Sequence, residues 1–217
     1  MTGHNLRRRN SLRGSAAAVL VVTLLLAGQA CQEKRSGADG QATSAARPQR
    51  SAEAQRLAES RAAFLAAYPV FMHPRCLNCH PNGDAPLQGD DSHVHTQNVL
   101  RGRDGKGLYA LKCADCHQDH NLPGAHMPPG NPNWHLTPAD IPMVFQGRTP
   151  AQLARQIQDP QENGGKTLEQ IVDHVTNDGL VLWGWSPGDG RTTPPLSHAE
   201  FAAKMKEWVA KGAAIPE

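Results

Sequence analysis

The sequence predicts a mostly α-helical protein with long irregular loops, folded as a single compact domain, and three observations predict it. Capped apolar stripes of helical period occupy the last third of the chain. The middle, from Pro69 to Pro150, is dense in proline and glycine and offers few runs long enough for a regular element. No stretch alternates apolar and polar residues over the length a substantial sheet would need.

Taken in order, the chain opens with Arg7, Arg8, Arg9 and Arg13, followed by 13 largely apolar residues from Ala16 to Gly28 and small residues up to Ala30. This is the layout of an export signal over residues 1–30, and the apolar run is too short to span a membrane comfortably. Cys31 follows at once, so either a lipoprotein peptidase cuts before it and leaves a lipid on its sulfur, or ordinary cleavage after Ala30 frees the chain. Its place at the head of a polar segment favours the lipid anchor. Residues 31–55 lack any large apolar side chain and read as a flexible tether, because they bury too little to offset the entropy of ordering. Residues 56–217 remain as the folded domain.

From Ala54 to Ala67 alanine, glutamate and arginine dominate, with Leu57, Phe64, Leu65 and Tyr68 on roughly one face, which predicts an amphipathic helix ended by Pro69. Thr149-Pro150 reads as an N-cap with proline at the first helical position, leading into Ala151 to Gln158. A stripe of Leu168, Ile171, Val172 and Val175 predicts the next helix, and Ser197-His198-Ala199-Glu200 forms a capping box before Phe201, Met205, Trp208 and Val209.

Within the irregular middle lies a repeated motif: Cys76-Leu77-Asn78-Cys79-His80, and again Cys113-Ala114-Asp115-Cys116-His117. Thiols at i and i+3 suit thioether bonds to the two vinyl groups of one haem, and the adjacent histidine then lies beneath the iron as axial ligand. The predicted cofactors are therefore two haem c, held by Cys76, Cys79, Cys113 and Cys116, with His80 and His117 on the metals. A zinc ribbon fits less well, because 33 residues separate Cys79 from Cys113 where zinc knuckles are spaced by about 15–20. Neither zinc nor a pair of disulfides explains the two trailing histidines. The motifs begin only 37 residues apart, whereas a self-contained single-haem domain takes about 80–100 residues. Both haems should thus share one compact di-haem domain, and their apolar faces would supply core that a chain with 5% aromatic residues otherwise lacks.

The second axial position on each iron decides between electron carrying and chemistry at the metal. The first candidates are His93 and His95, because alternating histidines in a polar loop have no core-packing explanation. His135, between Trp134 and Leu136, and His174, on the apolar-striped helix, come next. Met127, followed by two prolines, is the best methionine. His73 and His120 flank the motifs and would reach the neighbouring haem, Met143 and Met205 read as core, and Trp183 and Trp185 are expected to pack against a haem or close the core.

The final residues, Met205 to Glu217, resemble the closing helix of bacterial cytochrome c domains, with a tryptophan followed by a Gly-Ala-x-x-Pro ending. A wider likeness, from His73-Pro74-Arg75-Cys76 through Trp134-His135-Leu136 to Leu182-Trp183-Gly184-Trp185, resembles a family of small exported di-haem proteins. These are often catalogued as cytochrome subunits of isoquinoline 1-oxidoreductase-type molybdenum hydroxylases. The resemblance implies a redox partner protein, which in that family is a molybdenum hydroxylase.

The whole chain carries 22 basic and 20 acidic side chains, but all the excess lies in the signal. Without residues 1–30, 18 basic and 20 acidic remain, and haem propionates would add further negative charge, so nucleic-acid binding has no electrostatic support. The sequence therefore reads as a non-catalytic, exported, periplasmic electron-transfer protein, with a peroxidase-like haem enzyme holding one open axial site as the alternative. If Cys31 carries a lipid, Cys31→Ala should move the protein from the membrane to the soluble fraction without changing its visible spectrum; retention in the membrane fraction would count against the anchor.

Overall fold

The computed structural model describes residues 39–217, with side chains described from residue 47; the expected export signal over residues 1–30 and Cys31 lie outside the described residues. The architecture is mostly α: α1 (Asp39–Phe71), α2 (Pro74–Leu77), α3 (Pro150–Gln158), α4 (Leu168–Asn177), α5 (Gly179–Trp183) and α6 (His198–Ala210). Between α2 and α3 the chain is loop, broken by a 3-10 turn at Cys113–Asp115 and two small antiparallel ribbons. Strands β1 (Leu87–Gln88) and β2 (His93–Val94) pair as Leu87 with Val94; β3 (Gly107–Leu108) and β4 (Leu111–Lys112) pair as Gly107 with Lys112. No helix among the described residues is long and apolar enough to cross a membrane.

Local chemistry sets the helix ends as the sequence implies. Thr149, Thr167 and Ser197 each accept a hydrogen bond from the N–H three residues on, while Gln152, Gln170 and Glu200 reach back to the cap N–H, closing three capping boxes. Helix α1 departs from expectation at both ends. It begins at Asp39, through the segment that composition reads as a tether, and passes Pro69 to end at Phe71. Residues 47–55 are all exposed, so burial does not hold this stretch; its alanines, glutamines, glutamate and arginines favour helix, although Pro48 lies inside it.

The core forms where α1 crosses α6, with α3 and α4 alongside. Ala63, Phe64, Ala67, Val70 and Phe71 of α1 meet Phe201, Met205 and Trp208 of α6, Leu153, Ala154 and Ile157 of α3, and Ile171 and Val175 of α4. The buried face of α1 therefore runs through 60, 63 and 64, 67, and 70 and 71, successive turns three or four residues apart that leave Leu65 on the outside at 47% exposure. Phe64 lies 4.8 Å from Trp208, and Phe71 meets Phe145 and Phe201 edge-on at 5.3 and 5.2 Å. The helices thus build a core of their own.

One polar residue is buried at the centre of the α1–α6 contact. The Ser60 hydroxyl donates to the Trp208 carbonyl at 2.8 Å and accepts from the Ala214 N–H at 3.0 Å, while the Trp208 indole donates to the Ala214 carbonyl at 3.0 Å. These bonds give the tryptophan and the Gly-Ala ending a shared physical role: they turn the chain at the end of α6 and tie it to α1. Ser60→Ala leaves the buried Ala214 N–H without a partner, while the Trp208 carbonyl keeps its bond from the Ala213 N–H, and should cost about 1–3 kcal/mol in a urea-unfolding measurement. Leu65→Ala, on the exposed side, should stay within about 0.5 kcal/mol.

Candidate functional site

The two Cys-x-x-Cys-His motifs sit on short helical turns at the edge of the helical core, and each histidine is built into the same kind of surroundings. Pro74 at the first position and His73 as N-cap start α2, which carries Cys76 and brings Cys79 and His80 round behind it. The 3-10 turn does the same for the second motif, with the Asp115 carboxylate accepting from the Lys112 N–H at 2.8 Å.

His80 Nδ1 lies 2.7 Å from the Met143 carbonyl, and His117 Nδ1 lies 2.7 Å from the Pro129 carbonyl. A carbonyl can only accept, so each Nδ1 carries the proton and each Nε2 presents a lone pair. Behind each ring lies an aromatic face: Phe145 stacks on His80 with centroids 3.8 Å apart and planes at 14°, and Trp134 stacks on His117 at 4.4 Å and 10°. Burial holds His80 down to about 4, partly offset by the Met143 bond, and lowers His117 likewise against its bond to Pro129. Both imidazoles are therefore neutral at pH 7, the form that binds a metal.

The supporting loops are held as firmly as the rings. The His80 carbonyl accepts from the Phe145 N–H at 2.9 Å, and Met143 adopts φ of +42°, a left-handed conformation that is costly for methionine. Trp134 is braced edge-on by Trp183 at 4.9 Å. The Trp183 indole in turn donates to Asn121 Oδ1 at 2.8 Å, and the same oxygen accepts from the Gly130 N–H at 3.0 Å. Trp185 closes the core instead, donating to the Leu196 carbonyl and packing against Phe201.

None of the four motif cysteines forms a disulfide. Burial pushes Cys76 up to about 12 and Cys79 up to about 11. The two motifs are linked through the β1–β2 ribbon, whose Leu87 N–H donates to the Asn78 carbonyl of the first motif and which leads to His95 beside His117 of the second.

The remaining candidates separate clearly. His95 faces His117, with ring centroids 6.4 Å apart, whereas His93 is exposed and turns to Asp91, its Nδ1 2.6 Å from the carboxylate. His135 donates from Nδ1 to the Asn133 carbonyl at 2.6 Å, leaving Nε2 bare, and His174 directs Nδ1 toward the Asp178 carboxylate at 3.5 Å. Both stand near enough to His80 that a positive charge on either would depress it further. Met127 is 41% exposed in its loop, and its carbonyl accepts from Arg191. His73 spends its Nδ1 on capping α2, His120 and His126 are exposed, and Met205 is core. Met143 is packed against the core, its sulfur accepting from Gln156.

Sequence reasoning missed two arginines. Arg75 and Arg101 are 7% and 1% exposed, and the positive charge of each acts on Cys79. Arg75 pairs with Asp90; Arg101 donates to Thr137 and to the Gly83 carbonyl, and the nearest carboxylate to its Nε, Asp84, stands 3.9 Å away. The Nε of both is buried with no hydrogen-bond partner. Buried cations so incompletely paired are costly unless an anion joins them.

No protein-family model matches the chain, and no curated protein or solved structure is significantly similar to it. The site must therefore be judged on its own chemistry. Two features of the loop region fit an apolar, anionic cofactor such as haem. Six of the eight large apolar side chains exposed among the described residues lie here, namely Val94, Leu100, Leu108, Tyr109, Leu111 and Met127, as expected of a surface that a ligand covers. The buried Nε of Arg75 and of Arg101, each unpaired beside otherwise hydrogen-bonded nitrogens, suits a propionate carboxylate.

Gly130 offers a test of the His117 surroundings. A Cβ there would collide with the carbonyl oxygens of Gln118 and His120, so Gly130→Ala must push these segments apart beside the His117–Pro129 bond. Slow exchange of the His117 Nδ1 proton in NMR should be lost while that of His80 persists.

Proposed function

We propose that this chain is an exported electron-transfer protein carrying two covalently bound haem c groups in one compact domain. It would pass single electrons between a periplasmic or membrane dehydrogenase and a respiratory acceptor. The observation that carries this reading is the duplicated construction of the motif histidines: Nδ1–H on a backbone carbonyl, Nε2 bare, an aromatic ring behind. A histidine so held keeps one tautomer and one orientation, which is what an axial ligand needs if its iron is to change oxidation state without moving.

Haem, when bound, supplies a one-electron ferric–ferrous couple whose potential is set by axial ligands, burial and hydrogen bonds. The residues here divide that work. Cys76, Cys79, Cys113 and Cys116 form the covalent links, His80 and His117 hold the metals, and Met143 and Pro129 fix those histidines through their carbonyls. Arg75 and Arg101 offer charge to propionates. The ribbon that bonds to Asn78 of the first motif and leads to His95 beside His117 of the second supports a short path for electrons between the two centres. A zinc site has less support, since among the described residues no group of three or more His, Cys, Asp or Glu converges to hold a bare ion.

The partner would be a redox protein, a molybdenum hydroxylase if the family resemblance extends so far. The mass of the exported protein should exceed that of the processed chain by two haems, and His80→Ala and His117→Ala should each abolish one low-spin centre. An unmodified mass would overturn the proposal. Rapid carbon monoxide binding by both ferrous centres at neutral pH would replace the carrier with a haem enzyme having open axial sites.

A further inference from the structure

We propose, resting on the two-haem reading above, that His95 is the second axial ligand of the iron held by His117, so that this centre is bis-histidine and closed to exogenous ligands. The distance carries the argument. Two imidazoles bound on opposite sides of one metal, each through a metal–nitrogen bond of about 2.0 Å with its ring centre about 1.1 Å beyond the nitrogen, have centroids about 6.2 Å apart. His95 and His117 are separated by 6.4 Å. Direct edge-to-face contacts elsewhere in this chain are shorter, 4.9 Å for Trp134–Trp183 and 5.3 Å for Phe71–Phe145. The two histidines are therefore set apart by a gap of one metal ion rather than packed together.

The nitrogens are disposed to match. His117 has Nδ1 committed to Pro129, so only Nε2 is available. The ring of His95 is tied down by nothing: its Nδ1 is buried without a partner, while His93, two residues away, is committed to Asp91. Two protein nitrogens cannot hold a bare ion, and no third His, Cys, Asp or Glu joins them among the described residues. A metal already bound by four porphyrin nitrogens needs only these two.

The assignment links the two motifs. His95 is positioned by its own N–H bond to the Pro86 carbonyl at 3.0 Å and by the β1–β2 ribbon, whose first residue, Leu87, donates to the Asn78 carbonyl inside the first motif at 3.0 Å. The loop leaving one haem site thus delivers a ligand to the other, and disorder at the first motif should loosen the second centre.

The test uses the full-length holoprotein, with haem count by intact mass and ligation by optical spectra. His95→Ala should retain both haems, convert one of the two centres from low spin to high spin, and make that one bind carbon monoxide; added imidazole should restore the low-spin spectrum. His93→Ala should leave both centres unchanged. An unaltered low-spin spectrum in a two-haem His95→Ala protein overturns the assignment and leaves the carrier reading standing, whereas a wild-type protein without covalent haem overturns that reading and the assignment with it. Should the variant fail to accumulate, near-infrared magnetic circular dichroism of the wild type decides. A bis-histidine band is expected, and methionine–histidine bands from both centres would overturn the proposal.

Discussion

Everything at this site depends on one hydrogen bond made twice, from a motif histidine's Nδ1–H to a backbone carbonyl. The bond selects the tautomer that leaves Nε2 bare, and it holds the ring against rotation. Because the acceptor belongs to the main chain, the ring is positioned by the path of a loop rather than by a mobile side chain. The cost is borne by that loop: Met143 is held in a left-handed conformation as it presents its carbonyl to His80, the kind of local strain that persists only where surrounding contacts over-determine it.

Those contacts come from the helical core. Phe145 has one face on His80 and its edge on Phe71 of α1, which also meets Phe201 of α6, so the first motif is anchored directly to the α1–α6 crossing. The second motif is anchored less directly. Its histidine leans on Trp134, which meets Trp183 at the end of α5, and Trp183 in turn donates to Asn121, a chain of partly buried polar and aromatic contacts. The first centre is therefore organised by packing and the second by a relay of hydrogen bonds and rings. Few apolar side chains of the loops between α2 and α3 are buried, chiefly Leu87, Cys113, Leu136 and Phe145, so apolar packing does little to hold the second motif.

Much of the scaffold was legible because it is local. Capping boxes at Thr149, Thr167 and Ser197 involve residues three apart, and the stripe Ile171–Val175 is one helical turn. The α1 face was misread where two readings competed: Leu65 is apolar and adjacent to Phe64, yet only the spacing through Ser60, Ala63, Ala67 and Phe71 meets α6. The N-terminal extension of α1 has no apolar stripe to mark it, since residues 47–55 are all exposed and Pro48 lies within the helix.

The sequence by itself supplied the proposal of covalent haem attachment, since two thiols and an imidazole at i, i+3 and i+4 are a wholly local pattern. It also determined the helical class and its caps, through interactions spanning three or four residues. Only the tertiary structure decided which histidine faces which. His93 and His95 are alike in composition and neighbourhood, and a ribbon register sends one to Asp91 and the other to His117. The Met143 carbonyl, 63 residues from His80, the stacked Phe145 and the buried Arg101 leave no local signature, because long-range contacts depend on the course of the whole chain rather than on any segment of it.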